Sequence, residues 1–122
     1  MSKLRATLWV AAAAVLVASV LFRGGGADPD IVASKVERGA LIIDVRTPRE
    51  FDEGHVSGAV NIPYDTIDRV IHQTEPDARR DIVLYCRSGR RSALAAQALA
   101  RVGYTNVVDA GSLENARAAL EP

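Results

Sequence analysis

Apolar residues fall along this chain in short clusters separated by glycine, proline and charged residues, and the clusters differ in period. Residues 40–45 read ALIIDV, a run rich in branched side chains that suits a strand buried on both faces of a parallel sheet. Residues 59–62, 82–85 and 106–108 are further short strand candidates, the first of them ended by Pro63. The intervening stretches carry helical spacing. Residues 31–38, with apolar Ile31, Val32 and Val36, predict a short helix closed by Gly39. Thr47 as N-cap, Pro48 at the first helical position and Glu50 completing a capping box predict a second helix, which Gly54 stops. Residues 65–73 put Ile67, Val70 and Ile71 on one face, and the polar TEPDARR that follows reads as a surface loop. Residues 92–102 predict a helix with Leu94, Ala95, Ala98, Leu99 and Val102 turned inward and Gly103 at its C-terminus; residues 113–120 predict a last helix. Strands alternating with helices predict a small α/β domain with a mostly parallel sheet.

The N-terminus breaks this pattern. Residues 6–22 carry no charge, Lys3 and Arg5 precede them, and Arg23 ends them. That is the layout of an export signal or of an uncleaved anchor, since the run is long for a cleaved signal and short for a spanning helix. Cations on the N-terminal side predict that everything after Arg23 lies across the inner membrane, in the periplasm or an equivalent compartment. Residues 24–30 form a glycine-containing spacer in which a cut after Ala27 is possible. The expected division is therefore 1–27, signal or anchor plus spacer, and 28–122, the folded domain.

Charge then sharpens the picture. Lysine plus arginine and aspartate plus glutamate balance at 15 each, but Lys3, Arg5 and Arg23 lie in the leader, so the folded body is mildly acidic. An acidic body argues against nucleic acid as a partner and against a membrane surface, apart from contact through an uncleaved leader. It also makes LYCRSGRRSA, residues 84–93, stand out as a local cluster. This stretch holds the chain's single cysteine, Cys86, so no internal disulfide can form.

A thiol at the carboxyl end of a central strand, followed by a turn into a helix, occupies the place where open α/β sheets bind ligands. Backbone N–H groups from Arg87 through Ser88, Gly89 and Arg90 to Arg91 would converge above Cys86, with Gly89 giving the turn its backbone freedom. Amides, a helix N-terminus and nearby cations favour a thiolate, so Cys86 is expected to be a nucleophile. Arginine forks at 87 and 91 match the paired oxygens of a small anion, while Arg90 is expected to be a solvated residue at the helix start. No metal and no cofactor are expected: His55 and His72 lie in different segments without ligand spacing, and no glycine-rich nucleotide fingerprint is present.

These residues carry a family resemblance. DVRTPREFDEGHVSGAVNIPY from Asp44 to Tyr64, together with YCRSGRRS from Tyr85, resembles the rhodanese domain, with Cys86, Gly89 and Arg91 matching its Cys-x-x-Gly-x-Arg loop. The resemblance implies a five-stranded parallel sheet flanked by helices and a Cys86 persulfide that carries the sulfane sulfur of thiosulfate to cyanide or a thiol. In that reaction Arg87 and Arg91 would hold the sulfonate. Asp44 and Arg46 would brace the wall of the site, His55 would fix a loop by hydrogen bonds, and Glu50 would be a capping residue. A monomer is expected.

Two other readings stand beside sulfur transfer. One is a persulfide carrier with little turnover. The other is a cysteine-dependent phosphatase or arsenate reductase, whose loop places arginine six residues after the cysteine; here that position is Ser92 and Arg91 falls five after, a shorter loop suited to attack on sulfur. The segment before the last helix, Ala110 and Gly111, is also shorter in glycine than many rhodanese domains have it.

Overall fold

The computed structural model describes residues 26–121; the uncharged run 6–22 lies outside the described residues. Among the described residues no helix is long and apolar enough to cross a membrane. The order of elements is α1 (Pro29–Glu37), β1 (Leu41–Asp44), α2 (Pro48–Glu53), β2 (Val60–Asn61), α3 (Ile67–Thr74), β3 (Ile82–Cys86), α4 (Arg90–Arg101), β4 (Val107–Ser112) and α5 (Leu113–Leu120).

The strands form one sheet in the order β2-β1-β3-β4, and every neighbouring pair is parallel. Alternation along the two central strands builds two cores. Ile43, Val45, Ile82, Leu84 and Cys86 face α3 and α4, where Ile67, Ile71, Ala95 and Leu99 cover them. Ile42, Val83 and Tyr85 point the other way, towards Val32 of α1 and Ala116 of α5. Because both faces are covered, β3 is buried at all five positions, which is why it reads as an unbroken apolar run.

The capping signals act as their sequence implies. Thr47 Oγ1 accepts from the Glu50 N–H at 3.2 Å while Glu50 Oε1 accepts from the Thr47 N–H at 3.2 Å, the reciprocal pair of a capping box. Helix α1 starts two residues earlier than its apolar spacing indicates, because Asp28 caps it and Pro29 presets its first turn.

The expected architecture needs three corrections. The described residues form four strands, not five. Among the described residues one backbone bond, the Ala27 N–H donating to the Asp109 carbonyl at 2.7 Å, lies on the free edge of β4 before Asp28 and Pro29 turn the chain into α1. Leu94, expected inward, is 39% exposed, since α4 begins at Arg90 and buries the stripe of Ser92, Ala95 and Leu99 instead. Strand β4 runs on through residues 109–112, beyond the expected 106–108. A register shift between Leu84 and Cys86 lets Ser112 pair with Cys86 there.

Candidate active site

Strand β3 ends on Cys86, whose side chain is fully buried among apolar residues of the α3/α4 core. The next three residues turn sharply, and Gly89 adopts φ +105°, a left-handed conformation that a side chain would strain, to start α4. The turn brings the Gly89 N–H to 3.0 Å from Cys86 Sγ. The Ser92 hydroxyl lies 3.5 Å from the same sulfur and donates to the Gly89 and Gly111 carbonyls at 3.1 and 3.4 Å.

Burial pushes the Cys86 thiol up. The Ser92 hydroxyl and the amides of Ser92, Gly89 and Ser88 pull it down and prevail, leaving it below the ordinary thiol value. Of the amides expected from Arg87 to Arg91, those of Ser88 and Gly89 bear on the sulfur, and the amide of Ser92 joins them.

The three arginines divide into two kinds. Arg91 is engaged: its Nη1 and Nη2 donate to the two carboxylate oxygens of Glu50 at 2.7 and 2.9 Å, in a bidentate pair joining α4 to the first turn of α2. The Arg91 hydrogen bond holds the Glu50 carboxyl at about 2, well below the usual carboxylate range, and the same bond raises Arg91. Arg87 and Arg90 are exposed and form no ion pair among the described residues.

Asp44 and Arg46 form a second, deeper pair at the end of β1. Asp44 is 0% and Arg46 5% exposed. Arg46 Nε lies 3.0 Å from both carboxylate oxygens, and Nη2 donates to Oδ2 at 2.7 Å and to the Gly54 carbonyl at 2.7 Å. The arginine thus ties the strand end to the turn after α2. Asn61 extends the brace, its Nδ2 donating to the Asp44 and Arg46 carbonyls at 3.0 Å each. His55 stacks on Phe51 with ring centroids 3.6 Å apart, and its Nδ1 lies 2.8 Å from the Phe51 carbonyl; the ring is exposed.

Among the described residues no group of three or more histidines, cysteines, aspartates or glutamates could hold a metal ion. Two contributors escape sequence reasoning. Ser92 counts there only as the residue that is not an arginine, although a hydroxyl in the first turn after a cysteine loop is a signal that it could face the sulfur. Glu50 reads as a cap, and nothing local in the sequence reports a partner 41 residues away.

The rhodanese-like domain profile matches residues 28–115. The chain belongs to the rhodanese family. The likeness extends to single proteins: it is 40% identical over 73 residues to the thiosulfate sulfurtransferase PspE of Escherichia coli, spanning 60% of this chain and 70% of that protein. It is 30% identical over 82 residues to a putative mitochondrial thiosulfate sulfurtransferase of Schizosaccharomyces pombe, 58% of each chain. A solved structure described as a rhodanese with anions from E. coli superimposes with a TM-score of 0.61 at 38% identity, covering 63% of this chain and 91% of that one. The sulfur-transfer family expected from the Cys86 loop is thus the family found.

Proposed function

We propose that this rhodanese transfers the sulfane sulfur of thiosulfate, through a persulfide on Cys86, to a thiol or to cyanide. The observation that carries the reading is the cup around the sulfur: one N–H at 3.0 Å and one hydroxyl at 3.5 Å on a thiol held below its ordinary pKa. The Cys86 thiolate attacks the outer sulfur of thiosulfate. A new sulfur–sulfur bond forms, the old one breaks, and its electron pair leaves with sulfite, giving Cys86–S–S⁻. The acceptor then attacks the terminal sulfur and Cys86 departs as thiolate, so cyanide yields thiocyanate.

Both steps keep one negative charge near the loop, where the Gly89 N–H is already aimed and the Ser92 hydroxyl can turn to it. Arg87, with Arg90 beside it, is the group for the sulfonate end of the donor, while Arg91 supports the cup through Glu50. Asp44, Arg46 and His55 support the surrounding loops and take no part in bond making. The protein is proposed to act as a monomer. Residues 6–22, read as a leader, favour the far side of the membrane for this activity, and residues 28–122 carry the site residues.

The test is thiocyanate formation from thiosulfate and cyanide. Activity is expected from the intact protein and none from Cys86→Ser; a serine variant that still makes thiocyanate overturns the mechanism. Mass measurement after thiosulfate treatment is expected to show one added sulfur on Cys86 that cyanide removes. Retention of that sulfur in the presence of cyanide or thiols would mark a carrier instead.

A further inference from the structure

The wall behind Ser92 is the peptide unit between Ala110 and Gly111, and both of its polar ends are held by side chains. The Gly111 N–H donates to Asp109 Oδ1 at 2.8 Å. The Ala110 carbonyl accepts from Asn115 Nδ2 at 2.6 Å. A carboxamide nitrogen carries two hydrogens. The second hydrogen of Asn115 goes to the Ala27 carbonyl at 3.3 Å, so one side chain stitches the segment entering α1 to the end of β4. The other edge of that entering segment is fixed by the Ala27 N–H on the Asp109 carbonyl at 2.7 Å.

Gly26 completes the contact. A Cβ there would lie 2.4 Å from the Ala110 oxygen and 3.1 Å from the Gly111 Cα, so the residue sits directly against the peptide that Asn115 grips. The next carbonyl along, that of Gly111, accepts from the Ser92 hydroxyl at 3.4 Å, and that hydroxyl faces Cys86 Sγ at 3.5 Å. Gly111 itself is buried and holds φ +82°, so its backbone is held from outside, the Ala110–Gly111 plane by Asp109 and Asn115 and the following carbonyl by Ser92.

We propose that Asn115 is a positioning residue for Cys86, acting through the Ala110–Gly111 peptide and the Ser92 hydroxyl, and that Gly26 and Ala27 form the second jaw of the same clamp. The inference rests on Cys86 being the nucleophile. It adds that the segment joining the leader to the domain bears on the reactivity of the site. Three observations converge on one peptide: its carbonyl and N–H are held by two different side chains, a glycine packs against it where a Cβ cannot fit, and its neighbouring carbonyl takes the hydroxyl nearest the sulfur. Releasing the peptide removes the second anchor that keeps the Ser92 oxygen 3.5 Å from the sulfur and leaves it tethered to the Gly89 carbonyl of its own helix start at 3.1 Å.

The experiment measures the pH profile of Cys86 alkylation by iodoacetamide in the full chain, a readout independent of sulfur transfer. Asn115→Leu and Gly26→Ala act on the Ala110–Gly111 peptide from opposite sides. Each is expected to move the midpoint upward by roughly half a unit or more, about a threefold loss of thiolate on the acid side. Asn106→Ala is the control: it removes another asparagine bond, to the Arg79 carbonyl at 2.7 Å, and is expected to leave the midpoint unchanged. Folding is followed by thermal melts on the same samples. Midpoints in both clamp variants at or below that of the unmodified protein, with lowered melting temperatures only, would reduce Asn115 to a structural stitch and overturn the proposal. Failure of thiosulfate to load Cys86 while the shift is observed would sink the sulfur-transfer reading and leave the clamp standing.

Discussion

A hydroxyl 3.5 Å from a fully buried sulfur has one hydrogen and three acceptors to choose from, the Gly89 carbonyl, the Gly111 carbonyl and, once ionised, the sulfur itself. With a neutral thiol the hydrogen stays on a carbonyl; with a thiolate or persulfide it can turn to the charge. Replacing Ser92 with alanine removes this option and leaves the amides of Ser88, Gly89 and Ser92. Ser92→Ala is therefore expected to raise the alkylation midpoint of Cys86 and to slow thiocyanate formation by roughly tenfold, equivalent to about 1.4 kcal/mol. The sign for stability follows from the same shift. The folded pKa of Cys86 lies below its unfolded value, so the thiolate's stabilisation is fully present above the unfolded thiol range and is lost as pH falls through the folded value. The melting difference between the unmodified protein and Ser92→Ala should accordingly widen as pH rises towards the unfolded thiol value of about 8.5.

At the scale of elements, two arginine–carboxylate pairs join segments that the sheet alone would leave independent. Glu50 and Arg91 connect the capping box of α2 to the first turn of α4, with side chains 22% and 21% exposed. Glu50→Gln keeps much of the cap and removes the charge, and is expected to cost about 1–2 kcal/mol near neutrality, between exposed and buried pairs. The Glu50 pKa is depressed, so this contribution exists above its unfolded value near 4.5 and fades as pH falls towards about 2. Melting temperatures of the two proteins should converge across that window; a gap that persists at the acid end would assign the effect to lost packing. Asp44→Asn is the harsher change, because it strands the 5% exposed Arg46 without its carboxylate. A loss of about 3 kcal/mol or more is expected in chemical denaturation.

These pairs also mark where the sequence is legible. The strand runs, the Thr47 cap and the Cys86 loop are local signals, carried by neighbouring residues, and each stands in the structure within a few positions of its expected place. Element ends differ from the pattern where a special backbone state replaces it: Gly89 starts α4 early, and a register shift accompanies the extension of β4 through DAGS. The Glu50–Arg91 pair and the Asn115 stitch depend on tertiary approach across 41 and 88 positions, and no periodicity encodes them. The expected fifth strand is absent among the described residues, which meet the β4 edge at Ala27 just before the Asp28 and Pro29 helix start.

For the molecule as a whole, the place where a leader would be removed has a physical consequence. Ala27 is part of the folded body, bonded through its N–H to Asp109 and through its carbonyl to Asn115. A cut after Ala27 would delete both bonds, worth about 1 kcal/mol each. It would also put the new α-amino charge on Asp28, at the N-terminus of α1 where the helix dipole disfavours a cation. A protein beginning at Asp28 should therefore melt roughly 10 °C below one beginning at Gly24, with Asp28 N-acetylation recovering only the charge contribution. Equal melting temperatures for the two would show that the β4 edge contributes nothing to stability, and would place the working boundary of the domain at Asp28.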